Sequence, residues 1–319
     1  MARCSVVKLG HVGLLGALMT VAFAGSFLAV WHWNPLQNHP PVMASAASSA
    51  AGTSSAPALT EVPAASASAV SSAELVPQKP TRCPSEPKVE LRRKDVPPSD
   101  QELFRFLQEN PELLGSASVG KPTRGSLFGG VELRESEGIA REGAYGWGTE
   151  LVIRSIERAV REVRRCFPET PKLRVGDISR DKGGWLRPHA SHQSGLDVDV
   201  GYYYRVPAGW YEKATAKNLD LPRTWALVRA FVEGGNVDTI FMDLAVQRVV
   251  KAYVATLPNE EQPVEEWFQS PTKKDTTIRH AWGHATHFHV RFRDPDAEAL
   301  GERIKGMLPR IRKVKPRKP

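Results

Sequence analysis

Nine histidines occur in this 319-residue chain, and six of them fall in two short windows. His189 and His192 stand in the first, and His280, His284, His287 and His289 in the second; His11, His32 and His39 lie in the N-terminal stretch. Histidines recruited only for packing have no reason to avoid the rest of a folded domain, so the clustering points to a shared chemical task.

The patterns around the two windows say what that task is. Residues 188–195 are loop-like, and Leu196-Asp197-Val198-Asp199-Val200 then alternates apolar with acidic. On a strand alternate residues share a face, so Asp197 and Asp199 point one way and the aliphatic residues point into a core. His287-Phe288-His289-Val290-Arg291 alternates in the same manner and puts His287 and His289 on one face. If the two strands are neighbours, an imidazole pair meets a carboxylate pair across a few ångströms, which is a preformed site for a divalent ion. Nitrogen and oxygen donors favour zinc. A structural zinc site usually closes with four protein ligands and includes cysteine, whereas a catalytic site keeps three and leaves a position for water. Cys83 and Cys166 are far from both windows, so the catalytic form is expected, with one imidazole left over as a base. Strand parity does not separate Asp197 from Asp199. His280, which no spacing ties to the others, is expected to be a packing residue.

Zinc suits hydrolysis because it can bring the pKa of water from about 15.7 to roughly 7. At about 1.36 kcal/mol per unit, that is on the order of 12 kcal/mol of help in forming hydroxide. A lone histidine supplies far less.

The elements that must position these residues read as one α+β domain over residues 97–300. Ser99 to Glu102 has the form of a capping box, opening a short amphipathic helix that Gly115 ends. A glycine-rich stretch to about Trp147 reads as loops and short strands. Leu151, Ile156, Val160 and Val163 recur at helical spacing within 149–167. Strand-like runs follow at 173–178, 196–203 and 287–292, with helical stretches at 225–233 and 244–257 between the last two. The fold class is therefore α+β, a small antiparallel sheet carrying the metal site and flanked by helices. Trp185, Trp282 and the run Tyr202-Tyr203-Tyr204 lie beside the windows as candidates for lining a peptide groove, with core or rim packing as the competing role for each.

Outside that domain the composition changes. Residues 1–33 carry Arg3 and Lys8 and then an almost unbroken apolar run over 12–30, the pattern of an export segment. It is long enough to serve either as a cleaved signal or as an inner-membrane anchor. Residues 34–96, dominated by Ala, Ser and Pro, cannot bury enough apolar surface to offset their ordering entropy and are expected to be a disordered tether. Residues 301–319 hold much of the net charge of +8 and form a basic tail suited to an anionic envelope polymer, with no nucleic-acid role expected for an exported chain. Of the three cysteines Cys4 falls in the export segment, which leaves at most a Cys83–Cys166 bridge.

The windows His189-Ala-Ser-His192-Gln-Ser-Gly195-Leu-Asp-Val-Asp199 and His284-Ala-Thr-His287-Phe-His289-Val-Arg291 closely resemble the signatures of MepA-type penicillin-insensitive murein endopeptidases, members of the LAS group of metallopeptidases. The resemblance runs from about Ser116, through Gly125 to Glu132 and Trp147-Gly148, to Asp294. It implies that His192, Asp199 and His289 are the Zn2+ ligands, that His287 is the general base or stabiliser, and that His189 and His284 are auxiliary active-site histidines. It further implies a periplasmic or envelope enzyme that hydrolyses D-Ala–meso-diaminopimelate crosslinks between peptidoglycan stem peptides. The few cysteines, the tether and the basic tail depart from that family, so fold and metal chemistry are more closely implied than the bond cut.

Three rivals stand beside this expectation. A D,D-carboxypeptidase or an L,D-peptidase of the same group would use the same metal chemistry. A non-catalytic wall-binding regulator would be expected to have lost a ligand or the base, yet all are in place. A cupin-type dioxygenase also uses a His-x-His strand but predicts many more evenly spaced strands and a further downstream histidine.

Overall fold

In the computed structural model the described residues are 85–91, 96–97, 99–258, 261–307 and 309. The expected export segment 1–33, most of the tether and the end of the basic tail lie outside them. Among the described residues no helix is long and apolar enough to cross a membrane.

The chain opens with α1 (Asp100–Glu109), where Ser99 and Glu102 form the predicted capping box, followed by a 3-10 turn (Pro111–Leu114). Next come β1 (Ala117–Lys121), β2 (Arg124–Phe128), β3 (Val131–Glu132), β4 (Ile139–Arg141) and β5 (Trp147–Gly148). Helix α2 (Glu150–Cys166) is capped by the Thr149 side chain and offers the sheet a continuous apolar face that includes Val152, Ile156, Val160 and Val163. Then follow β6 (Leu173–Val175), β7 (Asp197–Gly201), α3 (Leu221–Glu233), β8 (Val237–Met242), α4 (Leu244–Val254), α5 (Glu261–Trp267), β9 (Ile278–His280), β10 (His287–Phe292) and α6 (Pro295–Lys305).

The main sheet has six strands in the order β4-β6-β7-β10-β8-β9. It is mixed, where a small antiparallel sheet was expected: the four middle strands pair antiparallel, while β4 on β6 and β8 on β9 are parallel. Strands β8 and β9 escaped prediction because their runs are short and show no clean alternation. Two two-stranded sheets, β1-β2 and β3-β5, complete the β structure.

Alternation in the two middle strands sorts their side chains as parity requires. Val198, Val200, Phe288, Val290 and Phe292 enter the core with Ile240 and with Phe231 of α3. Each such side chain, fully removed from water, contributes about 1.5–3 kcal/mol. The opposite face of β7 and β10 is left to the acidic residues and histidines. A second apolar cluster joins α1, β1 and α6 through Leu103, Leu107, Val119, Leu300 and Ile304.

Two stretches outside residues 97–300 also pack onto the domain. Helix α6 extends to Lys305, so the first residues of the expected tail are helical, with Ile304 in the core. Residues 85–91, assigned to the tether, lie against α2: the Arg158 guanidinium donates to the carbonyls of Glu86 and Pro87 and pairs with Glu162 at 3.0 Å. Cys166 at the end of α2 is disulfide-bonded, and Cys83, its expected partner, lies outside the described residues.

Candidate metal centre

Strands β7 and β10 are neighbours in antiparallel register, with His289 opposite Asp199, Arg291 opposite Asp197 and His287 opposite Gly201. The two aspartates that parity left equivalent are thereby given different partners. Asp197, fully buried, receives two hydrogen bonds from the Arg291 guanidinium at 2.8 and 3.0 Å and one from the backbone N–H of His192 at 3.2 Å. Asp199 faces imidazoles: its Oδ1 is 3.1 Å from His289 Nδ1, 3.3 Å from His192 Nε2 and 3.8 Å from His287 Nε2, and its Oδ2 is 3.5 Å from His189 Nδ1.

His192 reaches this point from a loop whose backbone is pinned on several sides. Gln193 N donates to Pro122 O at 3.0 Å, and Thr149 N donates to Gly195 O at 3.1 Å. His192 is the one non-glycine residue with positive φ among the described residues, at 66°. Holding an L-residue there costs roughly 1–2 kcal/mol, a strain the surrounding contacts sustain. Its Nδ1 lies 2.9 Å from Ile178 O, and since a carbonyl only accepts, Nδ1 carries the proton. Nε2 is thereby the ring atom turned toward Asp199 and, at 3.1 Å, toward His289 Nδ1.

Three donor atoms, His192 Nε2, His289 Nδ1 and Asp199 Oδ1, thus stand 3.1, 3.1 and 3.3 Å from one another. Ligands held tetrahedrally at about 2.0–2.1 Å from a metal are roughly 3.3 Å apart, so the spacing fits one ion without rearrangement. Two overlapping groups, His189-His192-Asp199 and Asp199-His284-His287, also have the donors and the spacing to hold a metal, and Asp199 belongs to both.

Burial and neighbouring charges compete at each of these groups. Burial opposes charge on Asp199, but His192 and His289 outweigh it and hold the carboxyl well below the usual range. Burial likewise opposes charge on His289, yet Asp197 and Asp199 lift it to about 9. For His287 burial wins over Asp199, with His284 and His289 adding to it, and the ring is pushed down to about 4. It is a neutral imidazole at neutral pH. His284 is lowered mainly by burial; its Nδ1 faces the carbonyl of Trp282 at 3.0 Å, which leaves Nε2 as an acceptor.

Of the predicted residues the structure brings together His189, His192, Asp199, His284, His287 and His289. Trp185 and Trp282 are 59% and 85% exposed, against Arg187 and His280 respectively. Tyr202 and Tyr203 are buried in the core and do not line a groove, and Tyr202 Oη donates to His284 O at 3.0 Å, bracing the loop before β10. His280 accepts from Leu244 N at 3.0 Å, the packing role expected of it. Sequence reasoning missed two residues. Asp177, just after β6, lies 3.1 Å from His189 Nε2 and receives the backbone N–H of Tyr145. Trp210, in the loop after β7, stacks on His287. Neither carries a periodic signal, and only folding brings them to the histidines.

An α+β scaffold presenting buried imidazoles and a carboxylate at metal-ligand spacing, from two adjacent strands and the loop that precedes one of them, defines a candidate metal-dependent enzyme. Residues 118–305 match the model of the penicillin-insensitive murein endopeptidase family, and the chain belongs to that family. It is similar to the penicillin-insensitive murein endopeptidase of Pectobacterium atrosepticum, 29% identical over 158 residues that make up 44% of this chain and 50% of the relative. It is also similar to proteins of the same name from Escherichia coli O1:K1 and from E. coli strain SMS-3-5, each 24% identical over 204 residues, 57% of this chain and 68% of the relative. The chain thus spans half the length of the Pectobacterium protein it matches.

Proposed function

We propose that this chain is a zinc-dependent peptidoglycan endopeptidase of the cell envelope, with the LAS-type arrangement of its site, that opens D-Ala–meso-diaminopimelate crosslinks. The observation that carries the reading is the triangle of His192 Nε2, His289 Nδ1 and Asp199 Oδ1, whose edges suit a tetrahedral ion.

In this reading those three residues hold Zn2+. When bound, the ion supplies Lewis-acid chemistry, activating water and stabilising developing negative charge on a scissile carbonyl. The protein's own groups do the rest. His287, neutral and 19% exposed at its side chain, takes a proton through Nε2 on the Asp199 side of the cleft and returns it to the leaving amine. His189, anchored by Asp177, and His284, anchored by the Trp282 carbonyl, flank the reacting bond as auxiliary groups. Arg291 neutralises Asp197, which keeps the second carboxylate out of the donor set. Trp185 and Trp282 offer exposed indole surface at the rim to a stem peptide.

Digestion of purified peptidoglycan followed by mass spectrometry of the products tests the proposal. Crosslinked dimers should fall to monomers, and a chelator should stop the reaction until zinc is restored. Release of terminal D-alanine alone would transfer the chain to the D,D-carboxypeptidases of the group.

A further inference from the structure

His287 is enclosed by two rings. On one side His284 lies at a centroid distance of 5.3 Å, tilted by 58°. On the other, Trp210 lies nearly parallel at 5.4 Å and 13°. The indole occupies a slot that the sequence keeps open with glycines. A Cβ built on Gly176 would stand 2.6 Å from Trp210 Cζ2, and one on Gly201 3.4 Å from Cζ3. The first distance is closer than carbon atoms approach, so any larger residue at Gly176 displaces the indole.

The loop that carries Trp210 is held at several points. Its base closes by the bridge between Tyr204 and Leu219. Ala214 N donates to Ala285 O at 2.8 Å, and Tyr204 Oη donates to Glu212 O at 2.6 Å. Asn218 receives the Thr215 N–H at 2.7 Å and donates to Lys213 O at 2.9 Å. An aromatic residue on so constrained a loop, facing an imidazole across a floor without side chains, can fix that imidazole's plane. Offset stacking of two rings is favourable beyond the area it buries, which favours one rotamer of the imidazole over its competitors.

We propose that Trp210 is a positioning residue: stacked in the slot floored by Gly176 and Gly201, it sets the ring plane of His287 and thereby aims Nε2 toward Asp199 and the cleft. The inference rests on the peptidase reading above, since His287 is the group being aimed. It implies that the indole contributes to turnover without gripping the substrate.

Three variants and two readouts test it. Trp210→Ala should lower kcat roughly ten- to hundredfold with KM nearly unchanged, because misplacing a reacting group by about 1 Å costs on that order. Trp210→Phe, which can still stack, should recover most of the loss. Gly176→Ala should also lower kcat, and it should cost less in the Trp210→Ala background than alone, because only the contact of the added methyl with Asp199 Cβ at 3.1 Å then remains. Independently of activity and of metal, the imidazole C–H protons of His287 should show an upfield ring-current shift in the NMR spectrum that Trp210→Phe retains and Trp210→Ala loses. The inference is overturned if folded Trp210→Ala keeps its kcat within twofold, if only KM rises, or if Gly176→Ala costs as much in the Trp210→Ala background as alone. An unmodified chain that cleaves no crosslinks sinks the peptidase reading itself; an active chain indifferent to Trp210 sinks only this one.

Discussion

His289 and Asp199 stand directly opposite each other on adjacent antiparallel strands, with Nδ1 and Oδ1 3.1 Å apart. Two residues along the same ladder, Arg291 stands opposite Asp197 and donates to both of its oxygens. The pairing divides two aspartates of identical parity into one ringed by imidazoles and one held mainly by Arg291, with His289 Nε2 3.3 Å from its Oδ1.

Replacing Asp199 should therefore empty the site and leave the fold intact. Asp199→Asn is expected to lose bound zinc and to lower kcat/KM by more than the ~100-fold typical of an outer-shell partner. Metal analysis and muropeptide release on the same preparation check this; full zinc content with full turnover would remove Asp199 from the centre.

Asp197→Asn should act mainly on stability. It leaves the Arg291 guanidinium without its counter-charge and turns one of the two oxygens that accept from Arg291 and the His192 N–H into a donor. Breaking a buried pair costs about 3–5 kcal/mol, and the side chain of Arg291 is 24% exposed, so the lower end is expected. A denaturant titration measures it. A midpoint unchanged from the unmodified protein would show that the pair does not support the fold.

In the metal-free protein the pH dependence of stability carries a signature of His289. Its pKa is raised to about 9 from the usual histidine value of 6.5, so its contribution is fully present below pH 6.5 and is lost as pH rises through about 9. The size is roughly 3 kcal/mol. Chelated protein should lose stability between pH 6.5 and 9, and His289→Ala should lack that loss. Because a ligand must be deprotonated, zinc binding at pH 7 should release a proton from His289, readable by calorimetry in buffers of different ionisation enthalpy. Equal heats in all buffers would contradict the assignment.

Asp177→Asn should weaken the anchoring of His189 without removing a proposed ligand. Outer-shell partners of this kind are worth about 10–100-fold in metal affinity or activity. A titration of zinc affinity and kcat/KM, with His189→Ala as the reference, checks it: the two variants should fall to similar levels, and a wild-type Asp177→Asn would show the contact to be incidental.

The histidine windows, their strand parity and the helices at 149–167 and 225–233 were legible in the chain because periodicity and residue type are local properties. Burial of Val198, Val200, Phe288 and Val290 on one face forces the polar residues between them onto the other, so the strand-borne members of the site, Asp199, His287 and His289, follow from alternation. Which strands adjoin is not local. The register that sets Asp199 against His289, the parallel edge strands, the docking of residues 85–91 on Arg158, and the arrival of Asp177 and Trp210 beside the histidines depend on contacts between segments distant in sequence. A sequence read for local periodicity does not register such contacts; the donors of a candidate metal site were therefore legible in the residues, and strand pairing is what gave two carboxylates of equal parity different partners.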